Sequence, residues 1–226
     1  MIVGTGSYVP EDIITNQELE DLVNTSDEWI KTRTGITERR RAAPEMAASD
    51  LAVRAARPAL EAAEIGPEDL DMIIAATITP DTSCPSAACW VQNRIGAKNA
   101  FAFDINAACS GFVYGLTVAD QFIRSGTAKR VLFVGVELMT RVVNWKDRAT
   151  CVLWGDGAGA VVLGPTENGR GILSSHLYAD GANGETLIVG GGGSRVSPIT
   201  HETVDQDLHT LKMNGQETFR FAVRAF

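Results

Sequence analysis

Phe101-Ala-Phe-Asp-Ile105 runs without a turn into Asn106-Ala-Ala-Cys-Ser-Gly111, and from there into the apolar stretch Phe112-Val-Tyr-Gly-Leu-Thr-Val-Ala119, which continues to Gly126. A short apolar run bounded by turn residues reads as a buried strand. The segment after it reads as a helix without a polar face before Asp120, hence buried on most sides, with Gly126 as its stop. Two more apolar runs, Met72 to Ile78 and Arg130 to Glu137, read as core strands, and Met1 to Thr5, Gly159 to Gly164 and Gly171 to Ala179 supply others. Helical patterns fall between them, so the chain alternates strand and helix and its class is α/β.

The helices have legible ends. Thr15-Asn-Gln-Glu18 and Thr25-Ser-Asp-Glu28 are two capping boxes, the second opening a helix that carries Trp29 and Arg33 and ends at Gly35. Ala47 to Ala63 places Leu51, Ala55, Ala59 and Ala62 at helical spacing, and Pro58 inside it predicts a kink or two pieces, at a cost of about 3 kcal/mol. Thr82-Ser83 caps a helix from Pro85 to Arg94 that stops at Gly96. Asp180 to Thr200, with its run Gly190 to Gly193, reads as a long loop. Asn214 and Glu217 cap a last amphipathic helix, which shows no stop signal at Phe226.

At 226 residues the chain is one large domain, or one and part of another, taking roughly 100–200 residues per domain. Its 45% hydrophobic and 21% charged residues are those of a globular protein. A net charge of −8 argues against binding a nucleic-acid backbone, whose recognition rests on Lys and Arg. No apolar run approaches the roughly 18–20 residues of a membrane span. The N-terminal Met-Ile-Val-Gly-Thr-Gly has neither the basic nor the apolar region of a secretory signal, which gives a cytoplasmic address. Cys84, Cys89, Cys109 and Cys151 form no Cys-x-x-Cys pair, and His176, His201 and His209 are not spaced with them as zinc ligands, so neither a metal site nor a disulfide framework is expected.

Most cysteines in such a chain are small buried hydrophobes. Cys109 differs, because it stands where a strand turns into a helix N-terminus, among Ala107, Ala108 and Gly111. The helix dipole and first-turn amides favour a thiolate there, and the same amides can hold the oxyanion formed when it attacks a thioester. Gly111 and Gly115, four apart, predict a close approach by another backbone. Gly155-Asp-Gly-Ala-Gly159 lacks the following helix of a phosphate cradle and reads as a tight turn between core strands. Trp29 can stack on a purine, with Arg33 and Arg148 as guanidinium partners for base or phosphate. Arg39-Arg-Arg41 reads as a solvated basic patch.

Six motifs, in order, resemble the β-ketoacyl-acyl carrier protein synthase III family of the thiolase superfamily: Gly4-Thr-Gly-Ser-Tyr-Val-Pro10, Thr25 to Ile36, Pro85-Ser-Ala-Ala-Cys89, Phe103 to Phe112, Asp147-Arg148 and Gly155-Asp-Gly-Ala-Gly-Ala160. The resemblance implies a thiolase-like layered αβαβα fold, of which residues 1–171 are the N-terminal half and 172–226 the start of the C-terminal half. It implies an enzyme that starts fatty-acid synthesis by condensing an acyl-CoA primer with malonyl-acyl carrier protein, with release of carbon dioxide. Cys109 is then the acyl-accepting nucleophile, Trp29 and Arg148 sandwich the CoA adenine, and Thr25 and Arg33 stand at the tunnel mouth. Leu153, Trp154 and Gly215 line the pantetheine path, and Arg220 helps dock the acidic carrier protein. No tightly bound cofactor is implied. The implied assembly is a homodimer, in which the loop before Pro85 reaches the partner's acyl pocket. Cys84, where some members carry phenylalanine, implies room for a longer or branched primer.

The departures are equally specific. The family's catalytic histidine, in a His-Gln-Ala-Asn segment, and its later asparagine and glycine oxyanion donor have no counterpart in these residues. Trp154 replaces a common phenylalanine, and Pro58 is unusual for its helix. The expectation from sequence is a chain cut in its last helix, with two alternatives beside the condensing enzyme: a non-condensing half that dimerises and binds acyl-CoA, and a related acyltransferase that makes an ester or amide.

Overall fold

The computed structural model describes residues 1–166, 169–196 and 198–225. In chain order the elements are β1 (Ile2–Tyr8), β2 (Asp12–Thr15), α1 (Asn16–Glu20), α2 (Asp27–Thr34), β3 (Glu38–Arg41), α3 (Ala48–Ala62), β4 (Met72–Ala76), α4 (Ala87–Ile95), β5 (Phe101–Ile105), α5 (Gly111–Arg124), β6 (Val131–Leu138), α6 (Arg148–Cys151), β7 (Asp156–Leu163), β8 (Leu187–Val189), α7 (His201–Asp205), β9 (Leu211–Met213) and α8 (Gly215–Ala225). They fall into two compact units that interleave along the chain. One comprises Met1–Asp12, Ala42–Leu138 and Asp156–Leu177, and the other Ile13–Arg41, Met139–Gly155 and Tyr178–Phe226.

The first unit is built on a five-stranded sheet, ordered β1-β7-β6-β4-β5. β4 is parallel to both β5 and β6, while β7 is antiparallel to both β6 and β1. Side chains alternate across a strand. In β6, Leu132, Val134, Val136 and Leu138 therefore pack with α3 and α4 in one core, while Val131 and Phe133 face the core that contains Ala119 of α5. The sheet thus lies between helices, and the small side chains of α3 let it approach closely. A Cβ on Gly6 would lie 2.3 Å from the Ala55 carbonyl oxygen, and one on Gly4 2.2 Å from that of Ala59.

Several expectations change. α3 is a single helix through Pro58, whose ring Cγ would stand 2.8 Å from a Cβ at Gly6. Burial of Ala48, Leu51, Ala52, Ala55, Ala56 and Ala59 against the sheet outweighs the proline penalty. α4 starts at Ala87 with Ser86 as N-cap, rather than at Pro85 capped by Thr82 and Ser83. Asp104 of β5 accepts from the amides of Ala87 and Ala88 at 2.7 and 2.8 Å, satisfying two of that helix's four orphan donors. β5 itself is an edge strand and only half-buried. Gly155-Asp-Gly-Ala-Gly159 is no turn: Asp156 begins β7, and its carboxylate accepts from the Ala42 amide at 2.7 Å. Residues 171–179 form no strand, and β8 interrupts the loop expected over 180–200. α5 buries only Gly111, Gly115 and Ala119, with Phe112 41% and Val113 50% exposed, so it is not buried on most sides. What lies against Gly115 is the Phe133 ring rather than a backbone, with its Cζ 2.1 Å from where a Cβ would sit.

In the second unit, β2 and β3 pair, β8 and β9 pair, and Ile14, Leu19, Ile30, Val143, Cys151 and Val152 form the core. Arg39 is not in a solvated patch, being 5% exposed. Its guanidinium donates to the Ile14 carbonyl at 3.2 Å, Asn16 Oδ1 at 2.9 Å and the Val152 carbonyl at 3.0 Å, and burial lowers its pKa. Asn214 accepts from the Glu217 amide at the start of α8, and the missing stop at Phe226 lies outside the described residues.

Candidate active site

Cys109 sits in a 3₁₀ turn, Ala108–Ser110, that joins β5 to α5. Ala108, immediately before it, has φ +45°, a left-handed conformation that costs a residue with a Cβ about 1–2 kcal/mol. Such strain is held where the surrounding structure over-determines it and is concentrated at functional sites. Ala108 opens the 3₁₀ turn between the end of β5 and the start of α5. The thiol is free and exposed, and the N-cap residue of α5, Ser110, makes no side-chain cap. The helix therefore presents its N-terminal end beside the sulfur without a competing hydroxyl.

Cys109 borders a cavity of about 290 Å³ whose other walls include Ala76, Phe112, Gly135, Glu137, Gly157 and Gly159. Sheet parity explains the space. Gly135 of β6 and Gly157 and Gly159 of β7 stand on the same sheet face as Phe133 and Val161, and a Cβ added at Gly135 or Gly159 would meet nothing within 4 Å. Gly157 and Gly159, with Gly135, thus clear a hollow in the sheet. Glu137 carries no signal in the sequence, since one acidic residue at the end of an apolar run has no informative spacing. Its carboxylate accepts from the Ile78 amide at 2.8 Å and from the hydroxyls of Thr79 at 2.6 Å and Thr77 at 3.4 Å. Burial raises its pKa against the lowering effect of these bonds.

Cys84 belongs to the same unit and is exposed, just before Pro85. The other residues that the sequence points to all lie in the second unit. Ser26, not Thr25, is the N-cap of α2, accepting from the Trp29 amide at 3.1 Å. Thr25 leaves a buried hydroxyl without a partner among the described residues, as does the indole N–H of Trp154. Trp29, Leu153 and Trp154 pack around the core of Ile14, Leu19 and Ile30. The guanidinium carbons of Arg33 and Arg148 stand 4.8 and 4.7 Å from the Trp29 ring centroid, and Arg148 donates to the Asn24 carbonyl at 3.0 Å. Gly215 opens α8, where a Cβ would meet only the Met213 methyl at 3.7 Å. Arg220 is exposed on that helix and borders a hollow of about 510 Å³ with Asp180, Asn183, Glu217, Phe221 and Arg224.

A free thiol at a strained strand-to-helix turn, on a mixed sheet with helices on both faces, defines a thiolase-like condensing enzyme of the acyltransferase class. Comparison with known proteins makes the family specific. The sequence profile of 3-oxoacyl-[acyl-carrier-protein] synthase III matches residues 103–181. The β-ketoacyl-[acyl-carrier-protein] synthase III of Caldanaerobacter subterraneus subsp. tengcongensis is 59% identical over 223 residues, covering 99% of this chain and 67% of that protein. The crystal structure of the synthase III from Aquifex aeolicus superposes with a TM-score of 0.88 at 47% identity, over 99% of this chain and 67% of that one. That from Thermus thermophilus gives 0.88 at 42% identity, over 99% and 68%. The chain belongs to the β-ketoacyl-acyl carrier protein synthase III family and spans about two thirds of the length of these relatives.

Proposed function

We propose that Cys109 accepts the acyl group of an acyl-CoA primer, and that the acyl-cysteine is then condensed with malonyl-acyl carrier protein to start a fatty-acid chain in the cytoplasm. The sulfur attacks the thioester carbonyl, the amides at the start of α5 face the developing oxyanion, and the CoA thiol departs with the proton. Thioester exchange is redox-neutral and needs no resident cofactor. The observation that carries this reading is the position of Cys109, exposed beside a cavity and after a strained Ala108.

Trp29 and Arg148 hold the CoA adenine in this reading, with Thr25 and Arg33 beside it, and Leu153, Trp154 and Gly215 line the pantetheine arm. A base between Trp29 and Arg148 needs about 7–8 Å, two van der Waals contacts, so the guanidinium must withdraw by roughly 2–3 Å from its present stack. Arg220 supplies a cation for the acidic carrier protein, the working form is a homodimer, and Cys84 widens the partner's acyl pocket for longer or branched primers.

The test is intact-mass measurement after incubation with acetyl-CoA. A single acyl adduct, absent from Cys109→Ser, is expected. A folded protein that gains no adduct, or gains it equally in Cys109→Ser, overturns the assignment.

A further inference from the structure

Two Asn-Gly pairs lie wholly within the described residues, Asn183-Gly184 and Asn214-Gly215, and all four residues are exposed. In such a pair the glycine nitrogen can attack the side-chain amide carbon of the asparagine and close a five-membered ring, because no Cβ on the second residue obstructs it. Sequence alone ranks the two pairs alike, but their hydrogen bonds differ. Asn183 is tied at both ends of that reaction. It closes the 3₁₀ turn Gly181–Asn183, in which the Gly184 amide donates to the Gly181 carbonyl at 3.3 Å. Its Nδ2, the group that would leave, donates to Asp180 Oδ2 at 2.7 Å, and that carboxylate opposes negative charge forming beside it.

Asn214 stands between β9 and α8. Among the described residues neither the Gly215 amide nor Asn214 Nδ2 donates to any group, Gly215 being the first of the N–H groups that a helix leaves without an internal partner. Asn214 Oδ1 accepts from the Glu217 amide at 3.3 Å, which folds the side chain over the turn that Gly215 begins. That donor and the positive end of α8 meet the oxygen on which charge develops when the amide carbon is attacked. The main chain is held meanwhile. The Asn214 amide donates to the Thr186 carbonyl at 2.8 Å, and the Asn214 carbonyl accepts from the Thr218 amide at 2.9 Å and hydroxyl at 2.8 Å.

We propose that Asn214 is a site of succinimide formation and deamidation in the folded chain, while the fold protects Asn183. This is independent of the acyl chemistry at Cys109. The Gly215 nitrogen, having given its proton to solvent base, bonds to Asn214 Cγ; the Cγ–Nδ2 bond then breaks, and ammonia leaves with a proton from water. Water opens the ring at either carbonyl to give aspartate or isoaspartate, without oxidation or reduction. Aspartate keeps an acceptor for Glu217 and adds a charge suited to a helix start. Isoaspartate routes the main chain through Cβ and Cγ, one atom longer, so α8 with Arg220 loses its fixed offset from Thr186 and β9.

The test ages the 226-residue chain in mildly alkaline buffer, folded or unfolded in guanidinium chloride, and then digests it with trypsin. Cleavage after Arg170, Arg195, Lys212 and Arg220 isolates the two pairs in separate peptides, and Asn168, which lies outside the described residues, falls in a third. Both products are heavier than asparagine by the difference between OH and NH2, and isoaspartyl methyltransferase with S-adenosylmethionine methylates the isoaspartate alone. In the folded chain Asn214 should convert at least about 10-fold faster than Asn183, and in the unfolded chain the two rates should agree within about 3-fold. Asn214→Ser, which retains a capping hydroxyl, should leave its peptide unmethylated. A folded chain in which Asn183 keeps pace with Asn214, or in which Asn214 stays intact while the unfolded chain converts, overturns the proposal. A difference that survives unfolding undiminished also overturns it, since sequence would then set the rates. If Asn214→Ser does not fold, the folded-to-unfolded comparison of the unaltered chain decides.

Discussion

Replacing Arg39 with methionine tests how far one buried cation holds the second unit together. Met replaces the apolar stem of arginine, stops short of the guanidinium and donates nothing. It strands the Ile14 carbonyl, Asn16 Oδ1 and the Val152 carbonyl, which the guanidinium reaches at 3.2, 2.9 and 3.0 Å. An unsatisfied buried acceptor costs about 1–3 kcal/mol, and a carbonyl with a second lone pair lies at the low end. Three acceptors therefore lose about 3–5 kcal/mol. Against this stands the relief of burying a guanidinium whose Nε has no partner among the described residues, the same desolvation that depresses its pKa. The net expectation is a loss of about 2–4 kcal/mol, or a drop in Tm of roughly 4–16 °C for a chain of this size. Three of the four tryptophans, Trp29, Trp145 and Trp154, pack against the apolar core of this unit, so urea unfolding followed by tryptophan fluorescence reports mainly on it. Arg39→Lys should fall between, since one ammonium cannot span three acceptors. A stability change below about 0.5 kcal/mol in Arg39→Met would mean the buried guanidinium is offset by its own desolvation and that the apolar core alone holds Val152.

Gly6→Ala should destabilise the first unit by at least about 3 kcal/mol in a denaturant titration, because the new Cβ meets the Ala55 carbonyl oxygen and Ala59 nitrogen of α3 at 2.3 and 2.6 Å, and backbone cannot step aside. Gly115→Ala gains about 1 kcal/mol of helix propensity but drives into the fully buried Phe133 ring, so a net loss of about 1–2 kcal/mol is expected by the same assay. Timed alkylation with peptide mapping should label exposed Cys84 and Cys109 well before Cys151, which is buried and whose pKa is raised by desolvation and then by Asp147. Burial raises the Glu137 pKa in the folded state, so its contribution to stability is fully present below the unfolded value near 4.5 and declines as pH rises through the folded one. Unfolding free energies of the unaltered chain minus those of Glu137→Gln should accordingly shrink as pH rises above about 4.5, and a flat or rising difference refutes the raised pKa.

Local signals were legible where they depend on a few neighbouring residues. The Thr15–Glu18 capping box is present with both its bonds, and Gly35 and Gly96 end α2 and α4 in left-handed conformations. The strand-to-helix turn at Cys109 is legible in Phe101 to Gly111 alone. What could not be read required knowing which strand lies beside which. Arg39 looks like its neighbours Arg40 and Arg41 in sequence, yet alternation along β3 turns it inward, where carbonyls distant in the chain receive it. Pro58 reads as a helix breaker until β1 supplies two glycines against the alanine face of α3.

Residue order alone is enough for the α/β class, the strand and helix that bracket Cys109, and the family, because hydrophobic period, caps and ordered motifs are local properties of the chain. Membership of Asp156 to Gly159 in a strand is a property of the folded sheet, since pairing with β6 and β1 supplies hydrogen bonds that a glycine-rich string cannot secure alone. The same holds for the hollow that these glycines, with Gly135 and Ala76, open beside Cys109, and for Glu137, held there by Thr77, Ile78 and Thr79, some 60 residues away. Those relations come from sheet order and register, which bring together side chains that no short-range pattern connects.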